Sequence, residues 1–175
     1  MRINYLSLLI LATVTVVGDA ASRAFDFAGD SVGQPPKGFV FGHTAKVGAP
    51  GTWVVQAEGA NQYLAQTNAD ATNSRFPVAV VSDISVADVD VSVRFRPVSG
   101  RVDQAAGLVW RYQNEDNYYL GRANALENNV VFEVSLNGVA LYEVEDASFA
   151  AAGRVGVWTK ADSVTHFDDL TVLTR

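Results

Sequence analysis

The chain has 175 residues, a formal charge of −6, no cysteine and two histidines. The lack of cysteine excludes disulfides, thiolate metal sites and a cysteine nucleophile, and two histidines are too few for a multi-histidine metal centre. The acidic balance disfavours nucleic acid and anionic membrane surfaces as partners, and the length suits one domain with its own core.

Met1 to Asn4 carries one positive side chain, and Tyr5 to Val17 is almost wholly apolar. Such a run is too short for a ~30 Å hydrocarbon layer, which needs roughly 20 residues, but it suits the apolar centre of a signal peptide. Gly18-Asp19-Ala20 puts small residues at the −3 and −1 positions of a cleavage site after Ala20. The expectation is a signal peptide over residues 1–20 and an exported mature chain, 21–175, periplasmic or extracellular and without a stable membrane anchor. An uncleaved N-terminal anchor is the alternative.

From residue 21 onward the apolar period is two rather than 3.6. Strands are expected at Gly38–Phe41, Trp53–Ala57, Gln62–Gln66 and Phe76–Val81. Asp88 to Arg96 is the clearest. Val89, Val91, Val93 and Phe95 point one way, and Asp88, Asp90, Ser92, Arg94 and Arg96 the other, with Pro97 and Gly100 expected to end the strand. Further strands follow at Ala106–Tyr112, Asn117–Ala123, Val130–Leu136, Val139–Val144, Arg154–Trp158 and Thr165–Leu173. Asn137-Gly138 suits a two-residue hairpin turn, because both residues tolerate φ > 0. One helical turn is expected over Asp146–Ala152, burying Phe149 and closed by Gly153. Short strands with regular punctuation indicate an all-β antiparallel sandwich.

Two segments resemble a known pattern. They are Gly107-Leu-Val-Trp-Arg-Tyr-Gln-Asn-Glu-Asp-Asn-Tyr-Tyr-Leu-Gly-Arg-Ala-Asn-Ala-Leu-Glu-Asn-Asn129 and Phe149-Ala-Ala-Ala-Gly-Arg-Val-Gly-Val-Trp-Thr-Lys-Ala-Asp-Ser-Val-Thr-His-Phe-Asp-Asp-Leu170. Both are similar to concanavalin A-like (laminin G-like) jelly-roll domains of the 3-keto-disaccharide hydrolase-like, or family 16 glycoside-hydrolase-like, group. The resemblance runs from about Phe25 to Leu170. It implies a jelly roll of two curved sheets, export and an association with carbohydrate. The chain departs from that pattern in one place. Members of the group carry an insert between the turn at Asn128-Asn129 and the Leu136-Asn137-Gly138 hairpin, whereas here Val130-Val131 passes directly to Phe132. The domain is therefore expected to be short by a pair of strands, leaving a sheet edge through which a homodimer would form.

Several residues are candidates for ligand contact. With residues 113–117 as the loop, Arg111 faces Tyr119 beside Gly107, Val109, Gly121 and Ala123. That leaves room for a sugar ring to stack and hydrogen-bond. Leu108, Trp110, Tyr112, Tyr118 and Leu120 then form the core face; a bulge would exchange the two faces. Arg122, Asn124, Glu127, Asn128 and Asn129 form a polar cluster suited to sugar hydroxyls, with turn chemistry as the alternative. The resemblance places Lys160, Asp162 and Ser163 at the border of the concave face, a charged hairpin tip being the alternative. Asp168 and Asp169, with Asp26, offer hard oxygen ligands for a structural Ca²⁺.

The carboxylate pattern Glu-x-Asp-x-x-Glu of family 16 glucanases is absent. Glu143 with Glu145, and Asp88 with Asp90, read as solvated strand faces. His43 and His166 do not pair by local logic. The functional expectation is a carbohydrate-binding or carbohydrate-processing accessory domain. One alternative is an enzyme cleaving 3-keto-glycosides, with Arg111 and Lys160 as a cationic clamp. The other is a non-catalytic adhesion module of the laminin G type.

Overall fold

A computed structural model describes residues 21–131, 135–136, 139–140 and 151–175. The expected signal peptide, the helical turn with Phe149, the turn residues Asn137-Gly138, and the pair Glu143 and Glu145 lie outside the described residues. Within them the regular elements are strands. In chain order these are β1 (Ser22–Phe25), β2 (Phe39–Thr44), β3 (Trp53–Glu58), β4 (Asn61–Gln66), β5 (Phe76–Val81) and β6 (Val89–Ser99). There follow β7 (Ala105–Asn114), β8 (Asn117–Asn124), β9 (Asn129–Val131), β10 (Ser135–Leu136), β11 (Val139–Ala140), β12 (Arg154–Thr159) and β13 (Val164–Thr174).

Among the described residues all pairings are antiparallel; apart from the two-stranded β10–β11 ribbon they build two sheets that face one another as a sandwich. The first sheet is organised around β13. β6 runs along one whole edge of it, from Val164↔Ser99 to Thr174↔Val89. Two strands share the other edge end to end. β4 pairs with residues 165–167 and β1 with residues 170–173, and β3 extends the sheet beyond β4. The second sheet has the order β2-β5-β12-β7-β8-β9. β10 and β11 pair as the strands flanking Asn137-Gly138 should, Leu136 opposite Val139.

β13 carries a bulge where its edge partners change. Asp168 pairs with Arg94 but Thr171 with Ser92, so one extra residue sits on β13. Asp169 takes it up at φ 50°, a left-handed value that aspartate tolerates better than most residues. The extra residue shifts the inward positions from Phe167 to Leu170 and Val172, all buried. These three pack with Trp53, Val55 and Leu64 of the first sheet against Ala79, Val81, Val155 and Val157 of the second.

The second sheet is apolar on both faces. Val78, Val80, Val109, Tyr112 and Trp158 form a separate cluster on its outer side. That is why Phe76–Val81 reads as a continuous apolar run instead of an alternation.

Two strand expectations need correction. β1 was not anticipated; its four residues are too few and too exposed to show a period. Pro97 does not end β6, which continues to Ser99. Among the described residues β6 is an edge strand, and an edge tolerates a residue with no N–H to donate.

Candidate functional site

The β7–β8 hairpin differs from its expected register. Trp110, not Arg111, pairs with Tyr119, and their rings stack at 5.6 Å between centroids. The pairing resumes only at Asn114↔Asn117, so the extra residues of β7 form a bulge. Arg111 stands in it at φ 47°, and a Cβ on Gly153 would lie 2.3 Å from the Arg111 carbonyl carbon. Glycine at 153 is what lets the bulge close. The expected faces are thereby mixed. Leu108, Trp110, Tyr119, Gly121 and Ala123 turn toward the first sheet, while Val109, Tyr112, Tyr118, Leu120 and Arg122 turn outward. Arg111 donates from Nε to the Ala87 carbonyl at 2.9 Å and lies 3.6 Å from Asp88. Arg122 lies 3.5 Å from Glu127, and Asn128 is an exposed turn residue at φ 49°.

Asn124, Lys160 and Asp162 do come together, around a residue the sequence did not single out. Asp103 is buried, and its carboxylate meets Lys160 Nζ at 2.5 Å and accepts from Asn124 Nδ2 at 2.5 Å. Asp162 accepts the backbone N–H groups of Arg101 at 2.6 Å, Val102 at 3.0 Å and Asp103 at 3.0 Å. Burial pushes the Asp162 carboxyl up, but those N–H donors outweigh it and hold it below the ordinary carboxylate value. A Cβ on Gly100 would sit 1.8 Å from the Asp103 carbonyl oxygen, so the loop folds over Asp162 only with glycine there.

The same network continues to Arg75, which is fully buried and donates to the carbonyls of Ala49, Asn68, Pro50 and Ala161. Nearby, Asp70 is lowered to about 2, chiefly by the Thr72 hydroxyl and then by the Ala49 N–H. These residues tie loops together; their donors and acceptors face one another.

Lys160 and Arg111 are not neighbours. Arg154 pairs with Tyr112 and Thr159 with Ala106. The two cations therefore stand at opposite ends of the β7–β12 pair, roughly 17 Å apart along the strands at about 3.3 Å per residue.

Asp26 accepts the Ala28 N–H at 3.1 Å in a tight turn. Asp168 and Asp169 both face Arg94, Asp168 at 3.5 Å, and Asn61 Nδ2 donates to Asp168 at 3.0 Å. Among the described residues no three histidine, aspartate or glutamate side chains are grouped to hold a metal ion.

Asp168 also lines a groove on the outer face of the first sheet, with a volume of about 330 Å³. It is lined by Glu58, Asn61, Tyr63, Arg94, Phe95, Arg96, His166 and Asp168. Four strands supply these residues; alternation brings Glu58, Asn61, Tyr63, Arg94, Arg96, His166 and Asp168 to the outer face, while Phe95 belongs to the core side. At the floor the Tyr63 and His166 rings stack at 4.3 Å. Arg96 Nη2 donates to His166 Nδ1 at 3.2 Å and to Glu58 at 3.0 Å. Arginine can only donate, so Nδ1 is the acceptor and the ring proton sits on Nε2. Burial, then the Arg96 charge, lowers the His166 pKa, with Glu58 opposing. The arginines remain open to solvent, with side chains 73% and 60% exposed. The groove thus offers two guanidinium forks, an amide and an aromatic floor, and its two arginines balance Glu58 and Asp168 in charge.

No protein-family model and no curated protein matches the chain. Among solved structures it is similar to the K2 cleaved adhesin domain of Lys-gingipain, with a TM-score of 0.50 and 13% identity. The match covers 89% of this chain and 100% of that one. At that identity the likeness concerns the fold, an all-β arrangement of two sheets.

Proposed function

We propose that the chain is an exported, non-catalytic binding module of jelly-roll, concanavalin A-like type that holds a neutral, hydroxyl-rich glycan in the groove of the first sheet. The groove's composition carries this reading. Planar polar groups that donate and accept in pairs, set around an aromatic floor, match the rim and face of a sugar ring. The balance of two arginines against two carboxylates gives no field that would select an anion over a neutral ligand. The neighbour in fold is named as an adhesin domain, which agrees with a binding role. The 3-keto-glycoside reading is less favoured, because a clamp made of Arg111 and Lys160 would have to span roughly 17 Å.

Calorimetry and a glycan array on the mature chain test this. Binding of a neutral oligosaccharide is expected, weakened about tenfold by Arg96→Ala, which removes a charged donor. Absence of any neutral glycan ligand would overturn the reading. So would turnover of a 3-keto-glucoside that is lost in Arg111→Ala.

A further inference from the structure

We infer that the free edge of β6 is a homodimer interface, paired antiparallel with a second copy of this chain about a two-fold axis at Ser92. Among the described residues β6 pairs on one edge only, with β13. It is eleven residues long, and a free edge of that length offers a row of backbone donors and acceptors. Its inward side chains, Val89, Val91, Val93 and Phe95, border the core yet stay only half-buried. Among the described residues no strand covers the core along this edge, and a second copy would close it.

The charges choose the partner and the register. In an antiparallel pair centred on Ser92, Asp90 of each copy faces Arg94 of the other, and Asp88 faces Arg96. On the opposite face Val91 meets Val93 and Val89 meets Phe95. Centring on Val93 leaves Arg94 against Ser92, and centring on Val91 leaves Asp90 against Ser92. A centre between residues would oppose outward with inward side chains. Only the Ser92 register matches all four charges. Edge strands commonly repel copies of themselves with like charges; this one attracts a copy in a single alignment. Asp90 and Arg94 already contact Arg175 and Asp168, but their side chains are 51% and 73% exposed and can take a second partner. Pro97 follows Arg96 directly and has no N–H to offer, which closes the paired segment where the charge match ends. Such a dimer doubles the five strands of the first sheet and sets both grooves on one face.

Sedimentation equilibrium over a micromolar dilution series reads the outcome. The wild-type chain is expected to show a dimer mass. Asp90→Arg and Arg94→Asp each raise the dissociation constant roughly tenfold or more, and mixing the two variants restores a dimer, because their charges complement. Ser92→Cys supplies a second measurement that spares the charges. The chain has no cysteine of its own, and opposed Cα atoms at about 4.5–5.5 Å lie within disulfide reach. Oxidation should yield a covalent dimer with Ser92→Cys and none with Val98→Cys. A wild-type monomer at every concentration overturns the proposal. So does a dimer that survives both charge reversals, or a Ser92→Cys chain that does not cross-link.

Discussion

The groove on the first sheet and the network around Asp103 use the same residue types to opposite ends. In the network, Arg75 is fully buried and Lys160 and Asp162 meet fixed partners. Each polar group is aimed at another, and little capacity is left for a ligand. In the groove, Arg94 and Arg96 touch carboxylates but keep more than half of their side chains in solvent. Desolvation separates the two. A buried ion pair whose partner is removed leaves an uncompensated charge, whereas an exposed pair loses little.

Three measurements would break or sharpen that contrast. The largest effect is expected from Arg75→Met, which leaves the carbonyls of Ala49, Asn68, Pro50 and Ala161 without their shared donor. A loss of about 4 kcal/mol or more in urea unfolding is expected, against under about 1 kcal/mol for Arg96→Ala. If the two cost the same, burial does not distinguish the regions. Next comes Lys160→Met, which strands the Asp103 carboxylate. About 3 kcal/mol should be lost, and the further change Asp103→Asn should recover part of it.

The smallest effect is that of pH, seen as a shift in melting temperature. Asp70 and Asp162 have folded pKa values below their unfolded ones. Their contribution is present above the unfolded value near 4 and is lost as pH falls toward about 2 for Asp70. His166 is lowered too, so the unfolded chain takes up its proton first, and stability should decline once pH drops below 6.5. Arg96→Ala removes a positive charge that holds His166 down and should make that decline smaller, with the same onset; an undiminished decline would mean that His166 does not sense the Arg96 charge.

The sandwich was largely legible because its signals are local. Asp88 to Arg96 alternates without a fault, and Phe76–Val81 and Trp53–Ala57 fall where strands are found. The bulge at Arg111 was legible only as an alternative that would exchange the two faces. It depends on Gly153 packing against a backbone more than forty residues earlier, and it reversed the face on which Tyr119 was expected. Asn124, Lys160 and Asp162 come together in the structure, but nothing local revealed that Asp103 joins them. One signal was readable. Asn68, Asp70 and Thr72 stand two apart, and Asn68 and Asp70 each accept the N–H two residues on, as the short polar side chains of a tight loop do. That loop leads to Arg75. The groove escaped notice because four strands, spread from Glu58 to Asp168, each give it only one to three residues.

The pairing of β1 with β13 has a mechanical consequence. Ser22 lies opposite Leu173 and Phe25 opposite Leu170, so the first and last strands run antiparallel with their outer ends together. A pull applied across residues 21 and 175 meets these hydrogen bonds one after another, as in opening a zipper, instead of all at once in shear. The Thr174 N–H to Ala21 bond, 3.0 Å long, is among the first to be loaded. Under tension β1 would leave first and low in the force scale, taking Phe25 from the side of Phe39, while β6 continued to guard the opposite edge of β13.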